Sequence, residues 1–322
     1  MLADGVLLTG FGGPDCPDAV GPFMRNLTGR DPDPATLERV RARYERIGGC
    51  SPLVQTAREL ALAVESALEE MGREVPVEVG MRYWQPTIAE GIERLAERGV
   101  RCVAHVSLSP IEAAVTHARY REAIDAALSG IPHMVVCDAP QLSTFSAYRD
   151  LHAHALRQAL AAVADGPAFV AFTAHSLPAS DEGAARYDRE LRAVADVVAT
   201  SAGLASGHDV SVAGATTWGD VEGATPWAVC YQSKGARGGA WLGPDLDDVI
   251  PAVAGLGARA IVIAPVGFAL DHMETLYDLD VDAKEHAERA GVRFVRAQVP
   301  NAHPALARAI AEVVLGTGCG QG

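Results

Sequence analysis

The chain lacks what would mark a nucleic-acid partner, a membrane span or a disulfide-held fold. It carries 27 Lys and Arg against 41 Asp and Glu, a net charge of -14. No basic patch interrupts that acidity, whereas binding to polyphosphate rests on clustered cations. No apolar run approaches the roughly 20 residues of a membrane-spanning helix. The opening MLADGVLLTGFGG has no basic segment and passes directly into strand-like sequence, so no export signal is expected. The six cysteines (Cys16, Cys50, Cys102, Cys137, Cys230 and Cys319) are scattered without a CxxC pair. Neither a zinc knuckle nor a disulfide framework is suggested, and those beside apolar runs read as buried thiols of a reducing compartment, the cytoplasm. A dinucleotide fingerprint is missing too. Gly10, Gly12 and Gly13 follow the first apolar run, but Asp15 stands where the third glycine would be and Pro14 removes a backbone donor.

What is present is a long alternation of apolar, strand-like runs with amphipathic stretches. With 322 residues and 49% apolar side chains the chain can bury two ordinary cores. Strands are expected at Gly5–Phe11, Pro76–Tyr83, Cys102–Pro110 and His133–Pro140, then at Pro167–His175, Val229–Ser233, Ala260–Phe268 and Arg293–Val299. Helical stretches lie around Ala35–Ile47, Leu53–Met71, Thr87–Arg98 and Thr116–Leu128, then Ala184–Ala202, Asp247–Leu256, Asp271–Ala290 and Pro304–Val314. This order predicts an α/β fold of two similar Rossmann-like halves, each a mainly parallel sheet flanked by helices. Turn chemistry at 164–167 places the boundary there, giving halves 1–164 and 165–322. Residues 205–227, rich in Gly and Thr without periodicity, read as an irregular excursion.

Two segments carry candidate chemistry. In AIVIAPVGFALDHMETLYDLDVD the carboxylates Glu274, Asp278 and Asp282 recur every four residues, which stacks them on one face of an α-helix. Like charges so placed repel, and a metal cation would reconcile them. The competing view is structural: Asp271 with Glu274 three residues on has the form of a helix cap with its reciprocal partner. The second segment, AFVAFTAHSLP, ends a strand-like run on His175, and ligands of open α/β sheets bind at the carboxyl ends of strands. Upstream, Arg43 and Tyr44 precede the turn GGCSPL, where they and Ser51 could grip an anionic planar ligand.

GFGGPD, RYERIGGCSPL, RYWQP, FTAHSLP, YQSKGARGGAWLGP and PVGFALDHMETLYDLD occur in the order and approximate spacing of the ferrochelatases, and together they span almost the whole chain. The sequence resembles that family, and within it the soluble enzymes of Gram-positive bacteria that metallate coproporphyrin III. The resemblance implies an active site in a cleft between the halves and insertion of Fe²⁺ into a porphyrin in haem biosynthesis. It assigns catalysis to His175 and Glu274 and metal handling to His175, Glu274, Asp278 and Asp282. Phe11, Arg30, Arg43, Tyr44, Ser51, Thr116 and Tyr120 fall at or near porphyrin contacts.

Some Gram-positive relatives carry a Tyr that reaches the iron where this chain has Phe11. Several hold a [2Fe–2S] cluster through one internal and three C-terminal cysteines; here only Cys319 and, at the internal position, Ala118 are found. No such cluster and no other resident cofactor is expected. Porphyrin and Fe²⁺ are the expected partners as substrates, with transient contacts to other haem-pathway enzymes. Three rivals stay open: a protoporphyrin IX ferrochelatase, a chelatase for another metal or tetrapyrrole, and a haem-binding carrier on the same fold.

Overall fold

The computed structural model describes residues 2–205, 225–235 and 238–318. Its strands are β1 (Gly5–Gly10), β2 (Val77–Met81), β3 (Cys102–Ser107), β4 (Val135–Asp138), β5 (Ala168–His175), β6 (Trp227–Gln232), β7 (Ala260–Ala264) and β8 (Arg293–Arg296). Its α-helices are α1 (Val20–Thr28), α2 (Pro34–Arg46), α3 (Leu53–Glu70), α4 (Ile88–Glu97), α5 (Arg119–Leu128), α6 (Ser146–Ala161), α7 (Ala184–Ser201), α8 (Leu246–Gly255), α9 (Met273–Leu276), α10 (Lys284–Arg289) and α11 (Pro304–Gly316). Each strand falls inside or against an apolar run expected from the sequence. Most of the excursion at 205–227, and Cys319, lie outside the described residues.

The chain forms two compact units. Unit 1 is Met1–Ala147, Ala269–Met273 and Pro300–Gly322; unit 2 is Tyr148–Phe268 and Glu274–Val299. In unit 1 the parallel sheet has the order β2-β1-β3-β4. β1 is buried on both faces, as a central parallel strand covered by helices must be. Local chemistry starts the flanking helices. Asp33 caps α2 by accepting the Thr36 N–H at 2.9 Å, with Pro34 at the first helical position. Thr87 and Glu90 form a reciprocal capping box at α4. Helix α1 is not among the expected helices because Gly21 and Pro22 interrupt its pattern; both sit in its first turn, where a missing N–H costs no intrahelical bond.

A polar chain crosses this sheet. Thr9 on β1 lies 2.7 Å from Nε2 of His105 on β3, and His105 Nδ1 lies 2.6 Å from Asp138 Oδ1 on β4. Thr9 is fully buried and His105 nearly so, so the chain fastens three neighbouring strands rather than presenting a nucleophile.

Unit 2 repeats the arrangement in the order β6-β5-β7-β8, again all parallel. Its core packs α8 and the segment around Leu279–Ala287 against β5, β6 and β7. The sequence predicts a division at 164–167, but the units part between Ala147 and Tyr148. The buried Tyr148 hydroxyl donates to the carbonyls of Val266 (2.9 Å) and Phe268 (3.1 Å), tying the first turn of α6 to the segment after β7. The end of the chain returns to unit 1, where α11 packs along α3.

Two further expectations are corrected. Cys102 is disulfide-bonded, not a free buried thiol, whereas Cys16, Cys50, Cys137 and Cys230 are free. Spacing along the chain cannot show such proximity. Asp4 donates its N–H to Cys102 O, and its neighbour Ala3 donates to Thr317 O near the chain's end. The stretch 271–290 is not one α-helix. Four residues of α9 give way to a π-helical turn over Asp278–Ala283 before α10, with the Asp282 N–H donated to Tyr277 O at 2.9 Å.

Candidate active site

β5 is buried along its first seven residues, and His175, its last, is the first to reach solvent. Because β6 and β7 flank β5, this end lies mid-sheet, at the edge where parallel sheets bind ligands. Gly267 crosses behind it, donating its N–H to Thr173 O at 3.0 Å. A Cβ there would come within 2.3 Å of Ala174 Cβ, so only glycine permits the approach. The loop after His175 is held as well. Ser176 donates its N–H to Gln232 O and its hydroxyl to Leu242 O, both at 2.8 Å, and Ala179 donates to Ala240 O.

Glu274, in the first turn of α9, places Oε2 3.1 Å from His175 Nδ1, an ion-pair approach off the line of a well-aligned hydrogen bond. The two side chains keep 36% and 30% of their surface, so the pair is reachable yet shielded. Burial disfavours the imidazolium, but the charge and contact of Glu274, with Asp278 behind it, outweigh burial and raise the His175 pKa above the ordinary imidazole value. The capping-box alternative for Glu274 is thereby displaced. The Asp271 N–H goes to Asn301 Oδ1 at 2.8 Å, and Asn301 Nδ2 donates to Asp271 Oδ2 at 2.9 Å. The Glu274 carboxylate turns to His175.

The four carboxylate and imidazole groups expected to handle metal are not gathered together. Among the described residues no three His, Cys, Asp or Glu side chains come close enough to hold a metal ion. The π turn explains part of this: its i→i+5 bonding widens the turn, so the four-residue step no longer follows the α-helical stripe. Asp278 accepts a short hydrogen bond from Ser233 Oγ, and Ser233 itself has a positive φ of 60°. Asp280, between the two expected ligands, is clasped by Arg296 of β8 at 2.7 and 2.8 Å. What the structure brings together is the His175–Glu274 pair.

A set of side chains that the sequence did not single out surrounds this pair. The Tyr187 hydroxyl donates to His175 O at 3.2 Å, and burial, with Glu274 nearby, pushes its phenol well up. Gln232 Nε2 donates to Glu274 O at 2.8 Å. Next along the same two elements, β6 and α7, Tyr231 donates to Asp188 at 2.5 Å, and Arg192 pairs with that carboxylate, a link between strand and helix and not a contact of the pair. The available signal was in strand β6, WAVCYQ, which is buried throughout and ends on a polar side chain.

The seven porphyrin-contact candidates all belong to unit 1. Phe11 follows β1 and packs on Tyr83 at 4.7 Å and Phe23 at 6.4 Å between ring centroids. Arg43, on α2, and Arg30, just past α1, are exposed. Tyr44 and Ser51 are buried, Ser51 donating its N–H to Pro14 O at 2.7 Å and so fixing the loop after β1. The Thr116 hydroxyl is spent on Ala113 O at 3.1 Å. Tyr120 is in the core, its hydroxyl 3.2 Å from Ser109 Oγ. Phe11 and Tyr83 join Trp84 and Phe23 in an aromatic group, with the Arg82 guanidinium 4.9 Å above the Tyr83 ring. In a chain only 6% aromatic, RYWQP contributes Tyr83 and Trp84 to this half-buried gathering.

The model of the family described as Ferrochelatase matches residues 3–317. The coproporphyrin III ferrochelatase of Mycolicibacterium smegmatis is 32% identical, over 98% of this chain and 89% of its own length. That of Frankia alni is 35% identical, over 97% of this chain and 79% of its own length. Among solved structures, SirB from Bacillus subtilis with Fe³⁺ superposes with a TM-score of 0.54 at 13% identity, covering 96% of this chain and 93% of SirB. CbiX, the terminal enzyme for siroheme biosynthesis in denitrifying bacteria, gives 0.53 at 13% identity, covering 98% and 100%. At that identity the likeness is one of fold.

Proposed function

The chain belongs to the ferrochelatase family, and we propose on that footing that it inserts Fe²⁺ into coproporphyrin III, yielding coprohaem for haem biosynthesis. The names of its relatives support the substrate, and the His175–Glu274 pair is the observation that carries the chemistry. Insertion exchanges two pyrrole N–H protons for one Fe²⁺, so the protein must accept protons while the ion enters the ring. His175 takes the two pyrrole protons in turn at its imidazole and passes each to solvent, which reaches its side chain, while the Glu274 carboxylate 3.1 Å away stabilises the imidazolium each time it forms. An imidazole and a carboxylate are also donors that Fe²⁺ tolerates, so the same pair can meet the substrate ion. Ser233 and Asp278 buttress that side of the site.

No helix among the described residues is long and apolar enough to cross a membrane. The tetraanionic coproporphyrin needs no bilayer, and we place the reaction in the cytoplasm, with no resident cofactor. The purified protein is expected to show no iron–sulfur absorption and no acid-labile sulfide. On an acidic chain, a substrate with four propionates calls for local cations, and the exposed Arg43 and Arg30 are those we assign. Anaerobic absorbance kinetics with Fe²⁺ should give many turnovers and a higher kcat/KM for coproporphyrin III than for protoporphyrin IX. Arg43→Ala should lower kcat/KM for coproporphyrin III about tenfold, the scale of one charge-assisted hydrogen bond, and affect protoporphyrin IX less. Equal or reversed preference would reassign the substrate, and a stoichiometric spectral change without turnover would make the protein a carrier.

A further inference from the structure

We propose that Gln232 is a positioning residue for the reaction, holding Glu274 in register with His175; this rests on the assignment of that pair above. The two side chains come from segments far apart in sequence, and a contact of 3.1 Å survives only if both backbones are fixed. Gln232 fixes both. As the register partner of His175 on β6, it accepts the Ser176 N–H at its carbonyl (2.8 Å), which holds the end of β5. Its side-chain Nε2 donates to the main-chain carbonyl of Glu274, also at 2.8 Å. One residue thus ties the strand that carries the imidazole to the helical turn that carries the carboxylate.

The other end of the same amide argues that this bond serves function. Gln232 is 4% exposed, and its Oε1 is buried with no hydrogen-bond partner among the described residues. An unpaired buried acceptor costs stability, and natural folds keep few of them. The amide cannot turn over to relieve it, because Oε1 would then face the Glu274 carbonyl, acceptor against acceptor. A glutamine retained here loses stability at one end of its amide while ordering the site at the other. Outer groups that orient a reacting pair in this way typically carry ten- to hundredfold in activity.

Gln232→Met keeps the length of the side chain and removes both the donor and the unpaired acceptor. We expect kcat for iron insertion to fall about ten- to hundredfold, KM for the porphyrin to stay within about twofold, and the melting temperature to hold or rise. Gln232→Leu, apolar and also without the donor, should show the same loss of kcat and guards against a folding failure of the first variant. In a Glu274→Gln background, Gln232→Met should change the residual rate less than about twofold, because the carboxylate it positions is gone. An unchanged kcat, a loss confined to KM, or an equal fold-loss in both backgrounds would overturn the proposal. Near-normal turnover by Glu274→Gln alone would instead remove the assignment of the pair, so the two failures are distinguishable.

Discussion

His175→Ala is expected to lower kcat for iron insertion about a thousandfold while the affinity for porphyrin changes little. The magnitude is that of a lost general base, about 10²–10⁴. The separation of the two effects follows from position. His175 ends a central strand otherwise wholly buried, so truncating it at the strand's edge leaves the apolar core beneath it intact. Glu274, left without its partner, keeps its main-chain bond from Gln232. Single-turnover absorbance with pre-bound porphyrin would measure kcat, and fluorescence quenching would measure binding. A folded variant with near-normal turnover would remove His175 from the chemistry. A parallel loss of binding would show that it holds the macrocycle instead. Because Glu274 raises the His175 pKa, the wild-type rate should fall as pH drops through a midpoint above the ordinary imidazole value of 6.5. Glu274→Gln should move that midpoint downward.

The parallel strands were legible because each is a short β-rich apolar run closed by turn residues, and that signal needs no knowledge of partners. The π turn was not. Periodicity in LYDLDVD suits an α-helix, and the shift to i→i+5 bonding is imposed by tertiary anchors such as Asp280 on Arg296, which lie 16 residues apart. Glu274 illustrates a different limit. DHMET is a sound capping box on paper, and only the proximity of Asn301 and His175 decides against it. Nothing in the sequence around His105 shows its partners for the same reason, since Thr9 and Asp138 reach it from neighbouring strands. Pairwise chemistry across strands is written in the fold and read from sequence only after the register is known.

Acid should weaken this protein most through a residue that takes no part in the chemistry. His152 on α6 is 1% exposed, packs on the Tyr148 ring at 4.6 Å between centroids, and holds both ring nitrogens buried, with the Phe268 backbone near but without a well-formed hydrogen bond. Burial pushes its pKa from 6.5 down to about 3. The folded form therefore refuses a proton that the unfolded chain accepts below its ordinary imidazole value. Stability is retained above that value and lost as pH falls from it toward the depressed folded pKa, at about 1.4 kcal/mol per pH unit. Between pH 7 and 4.5 the loss from this residue is about 2–3 kcal/mol, a substantial part of the stability of an ordinary domain. His152→Leu keeps the site apolar and removes the titration. Urea unfolding at the two pH values should show the variant losing about 2–3 kcal/mol less than the wild type, with equal or greater stability at pH 7 because no poorly paired buried nitrogens remain. Equal acid sensitivity in the two proteins would mean that His152 finds a buried proton acceptor or water, and that its ring is not held neutral.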